Sequence, residues 1–203
     1  MTSLEPTWIG VDPGGERCFG IAILRADSSC HTFCVDHVDA ALNVIREQIR
    51  STPAGIGVDA PLWWSSGPAG LRKADKWIRD QYHLPNRNVQ AVNSLWGAVL
   101  AQGMMFVARM REAFPNVNVT ETHPKAVLVG LGTSSWKELF ATLVTRVTLE
   151  TQPDHERDAV ISAIAAREGF EGRWTRDLIQ NRYPSEQDPL KHWLAPVHYY
   201  WPA

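Results

Sequence analysis

The chain has 203 residues, of which 44% are hydrophobic and 21% are charged, and its formal net charge is -2 at pH 7. These values allow one globular domain with a sizeable core and exclude a chain that is basic overall. Any surface that binds nucleic acid must therefore be a local patch. No apolar run approaches the roughly 20 residues that span a bilayer, so no membrane partner is expected.

The cysteine pattern predicts reduced thiols in a cytoplasmic protein. Cys18, Cys30 and Cys34 are an odd number in a chain of this length, which does not indicate a disulfide framework. Residues 1–6 lack the basic and apolar regions of a signal peptide.

The first part of the chain predicts an antiparallel meander, then a helix and a further strand. The turn signal Asp12-Pro-Gly-Gly separates the first two strands. Apolar residues then recur at helical spacing, and a compact apolar strand follows that should lie parallel to the first. The strands are predicted over residues 7–12, 19–25, 32–38 and 55–61, and the helix over residues 39–51.

The rest of the chain predicts helices around one more strand. Residues 62–88 are rich in loops and hold a short helix over residues 71–81; further helices are predicted over residues 92–113 and 154–168, and a strand over residues 116–122. Ser135 and Glu138 match a capping box, which an apolar stripe including Val147 follows. Residues 170–203 form an aromatic-rich tail that should pack on the core of a single domain spanning residues 1–203. A mixed sheet flanked by helices places the chain in the α/β class.

Acidic side chains recur at the ends of these predicted strands and at the start of the last helix. Ligand sites of open sheets lie beyond the carboxyl ends of parallel strands, so these groups should meet at one edge. Their mutual repulsion favours a divalent cation, and oxygen ligands suit Mg²⁺ or Mn²⁺. The candidates are Asp12, Asp59, Glu121, Asp154, His155 and Asp158.

Each candidate also has a structural interpretation. Asp12 precedes Pro-Gly-Gly and could serve the turn, and Asp154 stands where a helix cap is needed. Glu121 lies on an apolar strand face and needs a partner, of which a metal is one candidate. Asp158 precedes the apolar run AVISAIAA and should face the interior or a cleft, whereas His155, on the same helix face, either binds metal, transfers a proton or is simply exposed.

Several segments resemble known nuclease families. WIGVDPGGERCFGIAIL resembles the first hairpin of the Holliday-junction resolvases, and HERDAVISAIAA resembles their last helix. Over residues 7–169, GVDAPL, LRKAD, TETHPKAVLVGLG and the terminal helix follow the order of the domain of unknown function 429 family, which is regarded as a family of predicted ribonuclease H-like nucleases. The resemblance implies a ribonuclease H-like fold, in which three antiparallel strands precede the parallel ones.

The resemblance also implies a set of functional residues. Metal ligation falls to Asp12 and Asp158, and the site is completed by Asp59, Glu121 and either His155 or Asp154. Arg72 and Asp75 would lie in the same cleft. The resolvases carry a glutamate at their second acidic position, so the shorter Asp59, which is followed by Pro61, leaves direct ligation and ligation through water both open.

These observations lead to three hypotheses. The first is a magnesium- or manganese-dependent nuclease that hydrolyses phosphodiester bonds of DNA or RNA with two ions, which Asp12 bridges and which Glu121 and Asp158 hold. His155 would position the water. The second is a nucleotide-binding phosphotransferase of the sugar kinase and actin type, and the third is a non-catalytic interaction module. The residues expected to contact a nucleic acid are Arg72, Lys73, Asp75, Arg87 and Lys125, with Trp63 as a ring that caps the core or stacks on a base.

Overall fold

The computed structural model describes residues 5–14, 18–66, 70–133, 135–149 and 153–202. A six-stranded sheet forms its centre, with helices on both faces, and a two-stranded sheet lies in the C-terminal tail. The strands are β1 (Thr7–Asp12), β2 (Phe19–Arg25), β3 (Ser29–Val35), β4 (Gly55–Val58), β5 (Val119–Glu121), β6 (Arg146–Thr148), β7 (Arg176–Asp177) and β8 (Tyr200–Trp201). The helices are α1 (Val38–Gln48), α2 (Lys73–Tyr82), α3 (Gly97–Ala113), α4 (Pro124–Gly130), α5 (Trp136–Leu143) and α6 (Pro153–Phe170).

The direction of the strands gathers their carboxyl ends at one edge of the sheet. The strand order is β5-β4-β1-β2-β3-β6. β2 runs antiparallel to both β1 and β3, whereas β4 is parallel to β1, β5 is parallel to β4 and β6 is parallel to β3. Five of the six strands therefore point the same way, and β1, β4 and β5 end side by side.

Helix α6 packs unusually close to one face of the sheet because glycines line that face. Gly10 of β1 pairs with Gly57 of β4. A Cβ atom on Gly10 would lie 1.9 Å from the carbonyl oxygen of Ala159, and one on Gly57 would lie 2.0 Å from that of Ser162. Gly20 of β2 likewise faces the backbone of His155. The backbone of α6 can lie this close to the sheet only because the strands have no side chains at these positions.

Helices α1 and α3 cover the opposite face of the sheet. Phe106 of α3 contacts Phe19 of β2, with ring centroids 5.6 Å apart. Gly103 of α3 lies against Ala60, directly beyond the end of β4. Because residues alternate along a strand, the apolar neighbours of the sheet glycines, Ile9 among them, point toward these helices and are fully buried.

The C-terminal tail packs along the β5 side of the sheet. His198 pairs with Thr120 in a parallel bridge, which continues the hydrogen bonding of the sheet beyond β5. Asp177 accepts hydrogen bonds from Tyr199 and His198 and so fixes the β7–β8 pair. Trp201 is fully buried and donates a hydrogen bond to Tyr82 of α2 at 2.9 Å.

The predicted class and strand order are confirmed, since the antiparallel β1-β2-β3 meander and the parallel β4 and β5 are those of a ribonuclease H-like fold. The boundaries of β3 are wrong by three residues. The strand starts at Ser29, directly after a turn in which the carboxylate of Asp27 accepts a hydrogen bond from the backbone N–H of Ser29. The strand ends at Val35.

Three further predictions from local patterns are corrected. The helix over residues 92–113 is interrupted: a single 3-10 turn covers Val92–Ser94, and α3 begins only at Gly97. Val147 belongs to β6, a strand that was not predicted, and not to a helical stripe. Ser135 precedes α5 without a side-chain cap, because the carboxylate of Glu138 accepts a hydrogen bond from Thr133 instead.

The expectation of three free thiols is wrong for two of them. Cys18 and Cys34 form a disulfide between the neighbouring strand ends of β2 and β3, with their Cα atoms 5.4 Å apart. Cys30 is a buried free cysteine. Among the described residues, no helix combines the length and the apolar character that crossing a membrane requires.

The close approach of α6 to the sheet makes a stability prediction. Gly57→Ala should lower the free energy of unfolding by about 1–3 kcal/mol, since the added methyl group meets the backbone of Ser162. Urea denaturation measures this change. Gly97→Ala is the matched control, because a Cβ atom there meets nothing within 4 Å; equal stability of the two variants would contradict the packing argument.

Candidate metal centre

Three aspartates meet at the carboxyl edge of the sheet. Asp12 ends β1, Asp59 follows β4 directly, and Asp158 lies in the second turn of α6. One carboxylate oxygen from each lies within 4.8 Å of the other two. The backbone N–H of Asp59 donates to the carbonyl of Val11, so the pairing of β1 with β4 fixes the first two side chains relative to each other.

The electrostatics of this aspartate cluster are unfavourable for three negative charges. Burial raises the pKa of Asp59 well above its ordinary value, and the charges of Asp12 and Asp158 raise it further. Burial and the charge of Asp12 also raise the pKa of Asp158, although Arg157 and Lys125 oppose that shift. The cationic side chains nearby therefore do not compensate the repulsion.

His155 contacts the aspartate cluster from the first turns of α6. Its Nδ1 lies 2.7 Å from Oδ2 of Asp12, and its side chain is 38% exposed. The hydrogen bond to Asp12 raises the pKa of His155 against the opposing effect of burial. This contact engages Nδ1 of the imidazole ring and leaves Nε2 as its other nitrogen.

Two basic residues border Asp158. Nζ of Lys125, whose side chain is 70% exposed, lies 3.9 Å from Oδ2 of Asp158. Nε of Arg157 lies 3.3 Å from Oδ1, and the same guanidinium pairs with Asp154 at 2.9 Å. Asp154 is thus an exposed partner of Arg157 and lies outside the aspartate cluster. Arg157 was not among the residues predicted from the sequence, although it lies one residue before Asp158 and three residues after Asp154, the latter a spacing that allows ion pairs on a helix.

Glu121 also lies outside the aspartate cluster, because Arg72 binds its carboxylate. The guanidinium donates to Oε1 at 2.5 Å and to Oε2 at 2.8 Å, and the backbone N–H of Leu62 donates to Oε2 as well. Asp75 accepts two further hydrogen bonds from Arg72 at 2.8 Å. The buried acid on the apolar face of β5 does have a partner, but that partner is an arginine.

The Arg72 ion cluster, formed by Arg72, Asp75 and Glu121, is buried and internally paired, although burial still raises the pKa of Glu121 to about 7. Arg72 and Asp75 are 2% and 1% exposed, and both line the cavity that contains Asp59, so the expectation that they contact substrate stays a prediction. Burial opposes the positive charge of Arg72, but Asp75 and Glu121 together raise the pKa of its guanidinium well above the usual value. This cluster forms one wall of the site beside Asp59.

Trp63 is fully buried and belongs to the same wall. The guanidinium of Arg72 lies 4.1 Å from the centroid of its ring, and the ring of His192 from the tail stacks on it at 5.9 Å. No face of this ring is open to a base. This position agrees with the interpretation of Trp63 as a residue that caps the core, and the expectation that it binds substrate stays a prediction.

A small cavity of about 50 Å³ lies beside Asp59 and is also lined by Arg72, Asp75 and Glu121 of the Arg72 ion cluster. Asp59 and His123 line it on one side, and Gln90 and Leu95 on another. Burial lowers the pKa of His123 to about 4, so its imidazole is neutral near pH 7. His123 faces Asp59 across 3.8 Å and adds no positive charge to the site.

The donor set of the aspartate cluster fits a hard divalent cation. Three carboxylates from three separate segments offer only oxygen ligands, as Mg²⁺ and Mn²⁺ prefer. A cation there would relieve the repulsion that raises the pKa of Asp59. With Glu121 and Asp154 elsewhere, the described residues contain one group of three converging carboxylates, whereas the sequence predicted ligands for two ions.

A comparison with protein-family models found one match. The family described as "Protein of unknown function (DUF429)" matches residues 10–139, a range that contains Asp12, Asp59, Arg72 and Glu121 and ends before α6. No curated protein and no solved structure matched the chain.

The Arg72 ion cluster yields a prediction that separates structural from functional acids. Arg72→Met should lower the free energy of unfolding by about 3–5 kcal/mol, because it leaves buried carboxylates unpaired. Lys76→Met on the same helix is the control: its pair with Asp80 is more than half exposed and should contribute less than about 1 kcal/mol. Chemical denaturation of both variants measures the difference, and similar losses would show that Arg72 is not a buried anchor.

Proposed function

The chain belongs to the DUF429 family, and on the strength of its aspartate cluster we propose that it is a divalent-cation-dependent phosphodiester hydrolase, a nuclease acting on DNA or RNA. The observation that carries this proposal is the convergence of Asp12, Asp59 and Asp158 within 4.8 Å. Three partly or fully buried acids at that distance repel one another when ionised, and either a proton or a bound cation relieves that repulsion. Proteins keep such strain chiefly at functional sites.

In this proposal the three aspartates hold the cation, and the fold supplies their geometry. Strand pairing positions Asp12 and Asp59, and the close approach of α6 brings in Asp158. A bound Mg²⁺ or Mn²⁺ would supply Lewis acidity at a phosphate oxygen and would lower the pKa of water in the site. One position is sufficient for these two roles.

His155 is the residue best suited to handle a proton. Its Nδ1 is engaged by Oδ2 of Asp12, which orients the ring and favours the charged imidazolium. The other nitrogen, Nε2, is then the atom that would give a proton to, or accept one from, the reacting groups. At 38% exposure the ring is open to a bound substrate.

Lys125 is the residue best suited to contact the phosphate. Its ammonium group lies 3.9 Å from Asp158 and is largely exposed, so it can approach an anion next to the cation position without leaving α4. Arg72, by contrast, uses its guanidinium nitrogens on Asp75, Glu121 and the carbonyl of Trp63. The phosphate-binding charge of this proposal is therefore Lys125.

The first test compares two aspartates one turn apart on α6. Asp158→Asn should abolish both the Mn²⁺-induced rise in melting temperature and Mn²⁺-dependent cleavage of single-stranded, duplex and hybrid nucleic acids. For the wild type, Mn²⁺ at 100 times its dissociation constant should stabilise the fold by about 2.7 kcal/mol. Asp154→Asn, which lies outside the aspartate cluster, is the matched control and should behave as the wild type.

Three outcomes would count against the proposal. If Asp158→Asn cleaves as well as the wild type, the catalytic role fails. If Mn²⁺ leaves the wild type unstabilised, the cation site fails and a non-catalytic module is favoured. Stabilisation by a nucleoside triphosphate without cleavage of any polynucleotide would favour the phosphotransferase alternative.

The second test asks whether removal of the Asp59 charge raises or lowers the melting temperature of the cation-free protein. At a pH above the raised pKa of Asp59, Asp59→Asn should raise the melting temperature of the protein in EDTA, because it removes a partly buried charge that Asp12 and Asp158 repel. The same substitution should remove the stabilisation by Mn²⁺, since the amide is a poorer ligand. A variant that is less stable than the wild type in EDTA would show that Asp59 is a satisfied structural acid.

A further inference from the structure

The end of α3 nearest the aspartate cluster extends beyond the carboxyl edge of the sheet. Gly103 lies at that edge, where a Cβ atom would be 2.5 Å from Ala60 and 3.6 Å from Pro13. From there the helix descends toward the start of β5, where Arg111 donates to the carbonyl of Pro196. The seven residues from Gly103 back to Trp96 therefore cover about 10 Å along the helix axis, at 1.5 Å per residue.

Trp96 stands at the top of this helix with its side chain exposed. It is the residue before the first turn of α3 and is 74% exposed, although its neighbour Leu95 lines the cavity that also contains Asp59. The interruption between the 3-10 turn and α3 produces this position; a continuous helix over residues 92–113 would not. A large aromatic ring thus lies at the rim of the candidate metal centre with no described packing role.

The surroundings of Trp96 suit a polyanion. From residue 81 to residue 111 the chain contains no aspartate or glutamate, and Arg87 lies exposed in the loop that leads to Trp96. That loop borders the site, because the backbone of Asn88 forms a hydrogen bond with His123 and Gln90 lines the cavity. The N-terminus of α3 carries no side-chain cap, so the positive end of its dipole faces the same rim.

We propose that residues 87–97 form a rim that binds single-stranded nucleic acid, with one unpaired base stacked on Trp96 and the flanking phosphates at Arg87 and the start of α3. The proposal rests on the function proposed above for the aspartate cluster and narrows its substrate to strands, or strand ends, whose bases are free to stack. An aromatic platform next to positive charge is the usual means of binding such strands without sequence preference. The base of a duplex is paired and stacked within its helix and does not offer its face to the ring.

The test measures binding in EDTA, so that neither cleavage nor the cation contributes. Fluorescence anisotropy compares a labelled oligothymidylate, an oligouridylate and the oligothymidylate annealed to oligoadenylate. Trp96→Ala should weaken binding of the single strands by about 5- to 150-fold, the loss that removal of a stacking aromatic produces. Trp96→Tyr, which keeps an aromatic face, should retain most of the affinity. Preference for one of the two single strands would assign the substrate as DNA or RNA.

Trp193→Ala is the matched control. Trp193 is also an exposed tryptophan, at 56%, but its neighbour Leu194 accepts a hydrogen bond from Arg111, about 22 Å along α3 from Trp96. The affinity of the Trp193→Ala variant for all three probes should equal that of the wild type. An equal loss in both variants would indicate non-specific apolar contact and would overturn the proposal.

Other outcomes also overturn it. Unchanged affinity of Trp96→Ala would remove the stacking role, and an equal loss on single strand and duplex would leave only backbone contact. A wild type that sediments as a dimer and a Trp96→Ala variant that sediments as a monomer would assign the ring to an interface between two copies. Because binding is measured without cation, a positive result here together with no Mn²⁺-dependent cleavage would refute the proposed hydrolase and not the rim.

Discussion

The candidate site depends on the distance between one helix and the sheet. Asp158 and His155 lie on α6, whereas Asp12 and Asp59 lie on β1 and after β4, so the aspartate cluster exists only while the helix backbone touches the strands. Gly10, Gly20 and Gly57 permit that contact, since any side chain there would overlap the helix. A helix packed at an ordinary distance of about 10 Å would carry its acids out of range of the strand-end carboxylates. The glycines of the sheet are thus part of the site although they hold no ligand.

Two sets of acids lie side by side at this edge and are stabilised in opposite ways. Asp75 and Glu121 share the guanidinium of Arg72, which donates hydrogen bonds to both carboxylates. Their negative charges raise the pKa of Arg72. The three aspartates share no such cation: His155 contacts Asp12, and Lys125 and Arg157 contact Asp158, but burial and repulsion still raise the pKa of Asp59. Arg72 offsets the charge of Asp75 and Glu121 from within the protein, although burial still raises the pKa of Glu121 to about 7; the aspartates share no such cation, so either a proton or an external cation must offset their charge. That difference is the physical basis for assigning function to one set only.

The sequence was sufficient for five of the six strands of the central sheet and for two strand-end acids, but not for β6, and the reason is local. Alternating apolar residues and the Asp-Pro-Gly-Gly turn define β1 and β2, and both Asp12 and Asp59 are found directly at the ends of their strands. Glu121 matches the same pattern, yet its partner Arg72 lies 49 residues earlier in the chain. No local pattern reports such a contact, so the sequence placed Glu121 with the aspartates. Trp63 and Trp96 show the same limit: Trp63 stands in a predicted loop and Trp96 inside the predicted helix over residues 92–113, but only the tertiary structure buries the first under Arg72 and leaves the second exposed.

Glycines permit close packing of a helix on both faces of the sheet. On one face, glycines in the strands admit α6 and bring its acids to the edge. On the other face, the glycine is in the helix. Gly103 of α3 lies against Ala60, one residue beyond Asp59, and a Cβ atom added to Gly103 would lie 2.5 Å from the Cβ atom of Ala60. The height of α3 above the edge, and with it the position of Trp96, is therefore fixed relative to the same loop that carries a proposed ligand. Because Asp59 and Ala60 are adjacent, the cation position and the rim are coupled through a single stretch of backbone. A substrate strand held by the rim would consequently be aligned with the aspartates by the packing of Gly103, without any contact of its own to the sheet.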